Sequence, residues 1–202
     1  MLYKNNRVKI AIETITETIE EVNGQVVFQG KALNPKMKSK VYTFYFSSNK
    51  QQLKEILNDS NELLIEGYLT DKPKLPKDTI QIEGGNPLFV KLEEMESCHQ
   101  NQSNLNKFDY TFTLRGFKPS GTDFIELEHE SIISSLSDKE LRIVCHNTIF
   151  AKAFREPQIG SIYNVKTFML ADRNGNKSPQ DRDSFLVQTA TLLPPIMTSQ
   201  IS

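Results

Sequence analysis

The stretch Gln25–Lys50, QVVFQGKALNPKMKSKVYTFYFSSNK, carries two strand signals on either side of a basic turn. Gln25–Leu33 is rich in Val and Phe, and Val41–Phe46 is a dense run of β-branched and aromatic residues, the composition that strands favour. No acidic residue falls within the stretch. It therefore predicts a hairpin with a cationic turn. The lysines in and beside that turn are Lys31, Lys36, Lys38 and Lys40.

Composition describes an ordinary soluble globular protein. The chain has 202 residues, of which 38% are apolar and 24% charged, and its net charge is −1 with a pI near 6.3. That length allows one large domain or two small ones. Because a near-neutral chain has no global attraction for a polyanion, any affinity for nucleic acid must come from local basic patches.

The sequence carries no membrane, cofactor or disulfide signal. No apolar run approaches the ~18 residues of a membrane span, and the N-terminal residues lack a signal-peptide pattern. Cys98 and Cys145 have no metal-ligand spacing with the three histidines, and they indicate a reducing compartment. We expect a cytoplasmic protein with no membrane contact, no metal and no cofactor.

The first strand signal changes phase part-way along. Apolar residues alternate from Val8 to Ile12, but then move to Ile15 and Ile19. This shift predicts a β-bulge, which bends a strand enough to serve two sides of a small barrel. The Asn23-Gly24 pair that follows predicts a tight hairpin. A meander of three strands is therefore expected over residues 7–20, 25–33 and 40–47.

One short helix and two further strands complete the first half. Leu53, Ile56 and Leu57 recur at helical spacing, which predicts an amphipathic helix. Glu62–Leu69 follows as a strand, and Leu88–Met95 as another, with a loop rich in lysine and proline between them. The order is three strands, one helix and two strands.

This order resembles the OB-fold, a five-stranded Greek-key barrel. The segment ELLIEGYLTD, which follows the lysine-flanked aromatic strand, is also similar to the corresponding part of bacterial single-stranded DNA-binding proteins. There a strand of the form apolar-x-apolar-x-Gly-x-apolar precedes a variable loop. The resemblance covers Arg7 to about Glu96, and it implies a barrel that binds single-stranded DNA.

The second half is predicted to repeat the first after a polar, Asn/Gln-rich segment, Ser97–Lys107. Strands are predicted over Phe108–Phe117 and Thr122–Glu130, with a turn at residues 118–121 between them. Residues 131–140 are open between a short helix and a loop, and residues 149–156 between a strand and a helical turn. Three further strands are expected over Leu141–His146, after Gly160, and over Phe185–Leu193.

The predicted fold class is therefore mainly β, with two small OB-like Greek-key barrels in tandem and little helix. The expected boundaries are residues 1–97 for the first barrel, 98–107 for a linker, 108–195 for the second barrel and 196–202 for a flexible tail. Residues 171–184, long and polar, are predicted to form a mobile loop.

Signatures of catalysis are scarce in the sequence. It contains no GxSxG, P-loop, HExxH, CxxC or GxGxxG pattern. Cys145 and His146 are neighbours on a predicted strand, so their side chains should point to opposite faces and cannot pair as nucleophile and base. A loop around Asp172 fails the calcium-loop pattern, because Lys177 stands where the tight-turn glycine belongs. We expect a protein that is not an enzyme.

Basic residues near aromatic rings give the candidate binding site. Lysines can meet phosphates, and ring faces can stack on bases. Strand alternation separates Tyr42, Phe44 and Phe46, predicted to lie in the core, from Tyr45, predicted to be open to a base. The predicted nucleic-acid-binding residues are Lys31, Lys36, Lys38, Lys40, Tyr45, Arg115, Phe117, Lys118, Lys152, Phe154 and Arg155.

Two functions fit these patterns. The first is the binding of single-stranded nucleic acid, with DNA favoured over RNA and little sequence preference. The second is a protein-interaction or assembly module, such as a phage or plasmid structural component, that uses the hairpin edge to bind a protein partner or a second copy of the chain. The near-neutral charge favours the second. The lysines could also simply keep an exposed turn in water.

Overall fold

The computed structural model describes residues 6–33, 41–46, 50–57, 60–71, 88–99, 105–131, 133, 141–170 and 183–194. The predictions for residues 34–40, for most of 131–140, for 171–182 and for the tail lie outside these ranges. Within them the elements are β1 Arg7–Val22, β2 Gln25–Ala32, β3 Val41–Phe46, α1 Lys50–Leu57, β4 Glu62–Thr70, β5 Leu88–Ser97, β6 Asn106–Ser120, β7 Phe124–Ser131, β8 Leu141–His146, α2 Asn147–Ala153, β9 Ile162–Leu170 and β10 Asp183–Leu192.

The strands β1 to β5 form a closed five-stranded barrel, barrel 1. Antiparallel pairs join β1 to β2, β2 to β3, β4 to β5 and β1 to β4, and a parallel pair between β3 and β5 completes the circuit. Helix α1 lies between β3 and β4 in the chain. The predicted order of three strands, one helix and two strands is confirmed.

Local sequence features explain how barrel 1 closes. The register between β1 and β2 shifts between Ile15 and Glu20, so β1 contains the predicted bulge, which lies just after the change of apolar phase at Ile15. Asn23 and Gly24 both have positive φ, 52° and 73°, as a type I′ hairpin turn requires. A side chain on Gly67 would collide with the backbone carbonyl of Lys91, so the close approach of β4 and β5 needs glycine there.

The strands β6 to β10 repeat the same circuit as barrel 2. Antiparallel pairs join β6 to β7, β7 to β8, β9 to β10 and β6 to β9, and β8 pairs with β10 in parallel. Helix α2 occupies the place of α1, between the third and fourth strands. The predicted fold class, two OB-like barrels in tandem, is confirmed.

In barrel 2 the structure corrects one sequence prediction, and it decides between two alternatives that another prediction left open. The turn expected at residues 118–121 is wrong, because Lys118 and Pro119 still belong to β6 and pair with Glu126 and Ile125 of β7. The chain turns at residues 121–123, with Gly121 at a φ of 77°. Of the two alternatives for residues 149–156, the helical one is observed, as part of α2.

A seam joins the two barrels, formed by antiparallel pairing of β1 with β6. Val8, Lys9 and Ile10 lie opposite Phe108, Lys107 and Asn106 respectively. Asn106 and Lys107, the last two residues of the predicted linker, are therefore part of a strand. The seam makes a single ten-stranded sheet of the described strands. The division of the chain into domains at this point stays a prediction.

Inward-facing apolar residues fill both barrels. Phe28 and Phe44 stack with their ring centroids 5.3 Å apart in barrel 1, and Phe108 and Phe185 meet at 5.0 Å in barrel 2. All four rings are fully buried. The assignment of Phe44 to the core is confirmed.

Candidate nucleic-acid interface

The outer side of β2 and β3 will be called the β2–β3 face, and it carries no carboxylate among the described residues of those strands. Cross-strand pairs place Val27 opposite Tyr45 and Gln29 opposite Thr43. Lys31 is exposed at one end of the face, with Glu13 of β1 at the paired position beside it. Lys36, Lys38 and Lys40 lie outside the described residues, so Lys31 is the one hairpin lysine whose position is known.

Tyr45 lies on the β2–β3 face, as alternation predicts, but its ring is covered. Its exposed fraction is 8%, and it packs with Val27 and Phe89 in a small apolar cluster separate from the main core. Its hydroxyl is 2.7 Å from the Thr70 hydroxyl, and burial raises its pKa. The prediction of a ring open to a base is wrong, because large apolar neighbours occupy the outer face too.

The outer side of β7 and β8 is the matching surface of barrel 2, and it will be called the β7–β8 face. It carries a row of glutamates at alternate positions of β7: Glu126, Glu128 and Glu130. Arg142 Nε lies 3.1 Å from a Glu126 carboxylate oxygen, and Lys118 Nζ lies 3.6 Å from the other. Alternation along a strand puts all three carboxylates on one side of the sheet.

Two of the predicted binding cations are engaged by this glutamate row. Arg115 forms a hydrogen-bonded ion pair with Glu130, and Lys118 lies between Glu126 and Glu128. The β7–β8 face is thus close to neutral despite its cations. Sequence inspection singled out these cations but could not pair them with acids on the next strand, since the register of β6 against β7 includes a bulge.

The remaining predicted residues of barrel 2 surround α2. Phe117 is 44% exposed and packs against Phe150 at 5.0 Å, while Lys152 and Arg155 are exposed. Phe154 is buried between Phe150 and Tyr163. Its predicted role in base stacking is therefore wrong. Alternation would place Phe154 on one face with Lys152 only if residues 149–156 were extended, whereas the observed helical turn directs this ring into the barrel.

A further exposed ring, which the sequence did not single out, belongs to Phe124. Phe124, at the start of β7, is 36% exposed and meets the imidazole of His146 edge-on at 5.5 Å. Phe124 and His146 are direct cross-strand partners. The aromatic character of Phe124 was visible in the sequence, but its exposure depends on its place at the end of the hairpin.

A groove of about 630 Å³ lies at the seam, and it will be called the seam groove. It is bounded by residues of β1, β4, β6, β9 and β10 and is rich in cations. Sequence reasoning assigned none of them a role, because they come together only when the barrels pair. The described residues that line it are Arg7, Val8, Lys9, Glu66, Leu105, Asn106, Lys107, Asp109, Lys166, Thr167, Phe168 and Gln188.

Cys145 and His146, the neighbours considered as nucleophile and base, have other surroundings in the structure. Burial raises the pKa of Cys145 to about 12, so its thiol stays protonated near neutral pH. The His146 ring caps α2 by accepting a hydrogen bond from the backbone N–H of Thr148. Among the described residues there is no group of three or more His, Cys, Asp or Glu placed to hold a metal. No described helix is long and apolar enough to cross a membrane.

The strand circuits define the fold as two OB-type barrels in tandem. In a comparison with solved structures, this fold is similar to the wild-type single-stranded DNA binding protein of Thermus aquaticus. The TM-score is 0.54 at 11% identity, over 94% of this chain and 93% of that one. A deletion mutant of the same protein gives 0.53 at 11% identity, over 95% and 97%. No protein-family model and no curated protein sequence matches the chain.

The resemblance to OB-fold single-stranded DNA-binding proteins is confirmed at the level of the fold. The resemblance in sequence covers Arg7 to about Glu96, whereas the structural likeness extends over both barrels. At 11% identity the likeness shows the fold alone, and it assigns no ligand to any residue of this chain.

Proposed function

We propose that the protein binds single-stranded nucleic acid without strong sequence preference. The observation that carries this proposal is the β2–β3 face of barrel 1. OB-folds bind oligonucleotides on the faces of their second and third strands. In barrel 1 the described part of those strands bears the exposed cation Lys31 and no carboxylate, whereas the matching strands of barrel 2 bear a glutamate row.

The mechanism is electrostatic attraction with sequence-tolerant contacts to the bases. Lysines that meet phosphates release condensed counterions, which gives affinity without reading sequence. Exposed rings such as Phe117 and Phe124 can add stacking, since every base has an aromatic face. The preference for DNA over RNA rests on the fold likeness to a DNA-binding protein. No catalytic step is part of the proposal, and we propose that the protein is not an enzyme.

The nearly neutral β7–β8 face supports a second candidate function for barrel 2. The glutamates and cations of this face neutralise one another. The face therefore repels a polyanion less than glutamates alone would, but it attracts a polyanion only weakly. Such a surface suits a protein partner or a second copy of the chain. Barrel 2 would then serve assembly while barrel 1 binds the strand.

The direct test is a fluorescence anisotropy titration with labelled oligo(dT) at a series of salt concentrations. The proposal predicts that log K falls linearly with log salt, and that Lys31→Gln flattens the slope by about 0.7. Lys54→Gln on α1, an exposed lysine away from the β2–β3 face, is the matched control and should leave the slope unchanged. Absence of binding at low ionic strength would overturn the proposal.

A further inference from the structure

The seam groove gathers charged side chains from four strands in a regular arrangement. Glu66 of β4 lies opposite Lys9 of β1, and Lys9 lies opposite Lys107 of β6. Two residues further along β6, Asp109 lies opposite Lys166 of β9. Because positions two apart on a strand share a face, these charges point to the same side of the sheet. The seam therefore brings charges from both barrels into one groove.

The pairing of Lys9 with Lys107 is unfavourable by itself. Directly opposite residues of an antiparallel pair have Cβ atoms about 4.5–5.5 Å apart, and like charges there are destabilising. Lys9 is compensated by a hydrogen-bonded ion pair with Glu66. Lys107 is exposed and forms no ion pair with any described residue. An anion held between the two ammonium groups would relieve their repulsion.

The charge balance of the groove is positive. Four cations, from Arg7, Lys9, Lys107 and Lys166, face two carboxylates among the described lining residues. One carboxylate, Glu66, is engaged by Lys9. The other, Asp109, is half-buried; burial raises its pKa, while Lys166 and Arg7 act to lower it. Arg7 is also balanced in part from outside the groove, because its Nη2 lies 3.9 Å from a Glu93 carboxylate oxygen. The remaining excess of cations over carboxylates leaves the groove open to an added anion.

The size and the apolar part of the groove indicate the kind of anion. About 630 Å³ falls within the roughly 300–1,000 Å³ of ordinary small-ligand clefts, which is more room than an inorganic ion needs. Val8, Leu105 and the half-buried ring of Phe168 also line it. Cations beside an accessible ring are the combination that a nucleotide of a single strand requires.

We propose that the seam groove binds the phosphodiester backbone of the single strand where it passes between the barrels. One phosphate lies between Lys9 and Lys107, a second lies near Lys166, and Phe168 contacts a base. This inference rests on the proposed function and adds a second contact surface, built only when β1 pairs with β6. The nucleic acid then contacts both barrels at once, and it binds the protein more tightly than it would through the β2–β3 face alone.

The test is the salt dependence of oligo(dT) affinity for the triple variant Lys9→Gln, Lys107→Gln, Lys166→Gln in the full chain. Each phosphate neutralised on a single strand contributes about −0.7 to the slope of log K against log salt, so the loss of both phosphate contacts should flatten the slope by about 1.4. At 0.1 M salt this corresponds to roughly a twentyfold loss of affinity, which fades as salt approaches 1 M. The melting temperature should stay near that of the wild type.

Two single variants keep the test decisive if the triple variant folds poorly. Lys107→Gln removes a cation that has no ion pair among the described residues, and it should flatten the slope by about 0.7. Lys54→Gln on α1 is its matched control. Asp109→Asn should act in the opposite direction and raise affinity, because it removes a negative charge from the groove.

The outcomes separate this inference from the proposed function. If the wild type binds oligo(dT) but neither the triple variant nor Lys107→Gln changes the slope, the seam groove is not a strand site while the proposed function stands. If the wild type binds no single strand at low salt, the proposed function itself fails. Displacement of oligo(dT) by dTMP at equal phosphate concentration would show that the seam groove is a site for free phosphate groups and not for a nucleic-acid strand.

Discussion

Barrel 1 and barrel 2 share one strand circuit and one helix position, yet their matching outer faces differ in chemistry. The β2–β3 face has a covered apolar cluster, one exposed lysine and no described carboxylate. The β7–β8 face has three glutamates, each with a cation beside it. The inward residues determine the circuit, so the outer residues can diverge without changing it. The fold therefore cannot by itself say which barrel binds a ligand.

The largest expected effect tests whether the two barrels are equivalent inside. Phe44→Ala in barrel 1 and Phe185→Ala in barrel 2 each remove a fully buried ring, and each should cost roughly 3–5 kcal/mol of unfolding free energy. Chemical denaturation of each variant measures the loss. Phe44→Leu keeps most of the apolar volume and should cost clearly less. A loss below about 1 kcal/mol in either barrel would show that its core does not depend on the stacked rings.

A second prediction concerns the difference between the outer faces. Glu130→Gln should release Arg115 to meet a phosphate, so barrel 2 gains a contact to a single strand, while Lys118 stays between Glu126 and Glu128. The salt slope should become more negative by about 0.7, which is roughly a fivefold gain in oligo(dT) affinity at 0.1 M salt. Glu55→Gln on α1 controls for the change in net charge. An unchanged slope would mean that Glu130 does not restrain Arg115.

The smallest effect concerns the covered ring of barrel 1. Tyr45→Phe removes the hydroxyl that contacts Thr70, and it should cost about 0.5–1.5 kcal/mol of stability. Because the ring is buried, oligo(dT) affinity should not change. Thermal denaturation and the anisotropy titration measure the two quantities. A drop in affinity without a drop in stability would indicate that Tyr45 contacts the strand after all.

Most of the fold could be predicted from local sequence features. The phase shift before Ile15, the Asn23-Gly24 pair and the aromatic run around Phe44 each specify local geometry that the structure contains. The turn at residues 118–121 was misplaced because Pro119 usually ends a strand. Here it lies near the hairpin end of β6, where a missing N–H donor costs little.

The candidate surfaces were predicted less well, because they depend on contacts between strands distant in sequence. Tyr45 is covered by Phe89, and Arg115 is paired with Glu130, and neither contact follows from alternation within one strand. The seam groove is the extreme case. Its cations come from β1, β6 and β9, and no pattern within any one of those strands shows that Lys9 will face Lys107.

Amine footprinting in the presence of oligo(dT) tests most directly whether the strand lies on barrel 1 and the seam. Each lysine is acetylated with and without saturating oligonucleotide, and mass spectrometry measures its protection. We predict that Lys31, Lys107 and Lys166 are protected, while Lys118 in the glutamate row and Lys54 on α1 react equally in both conditions. Protection of Lys118 with Lys31 and Lys107 still reactive, or no protected lysine at saturation, would contradict the account.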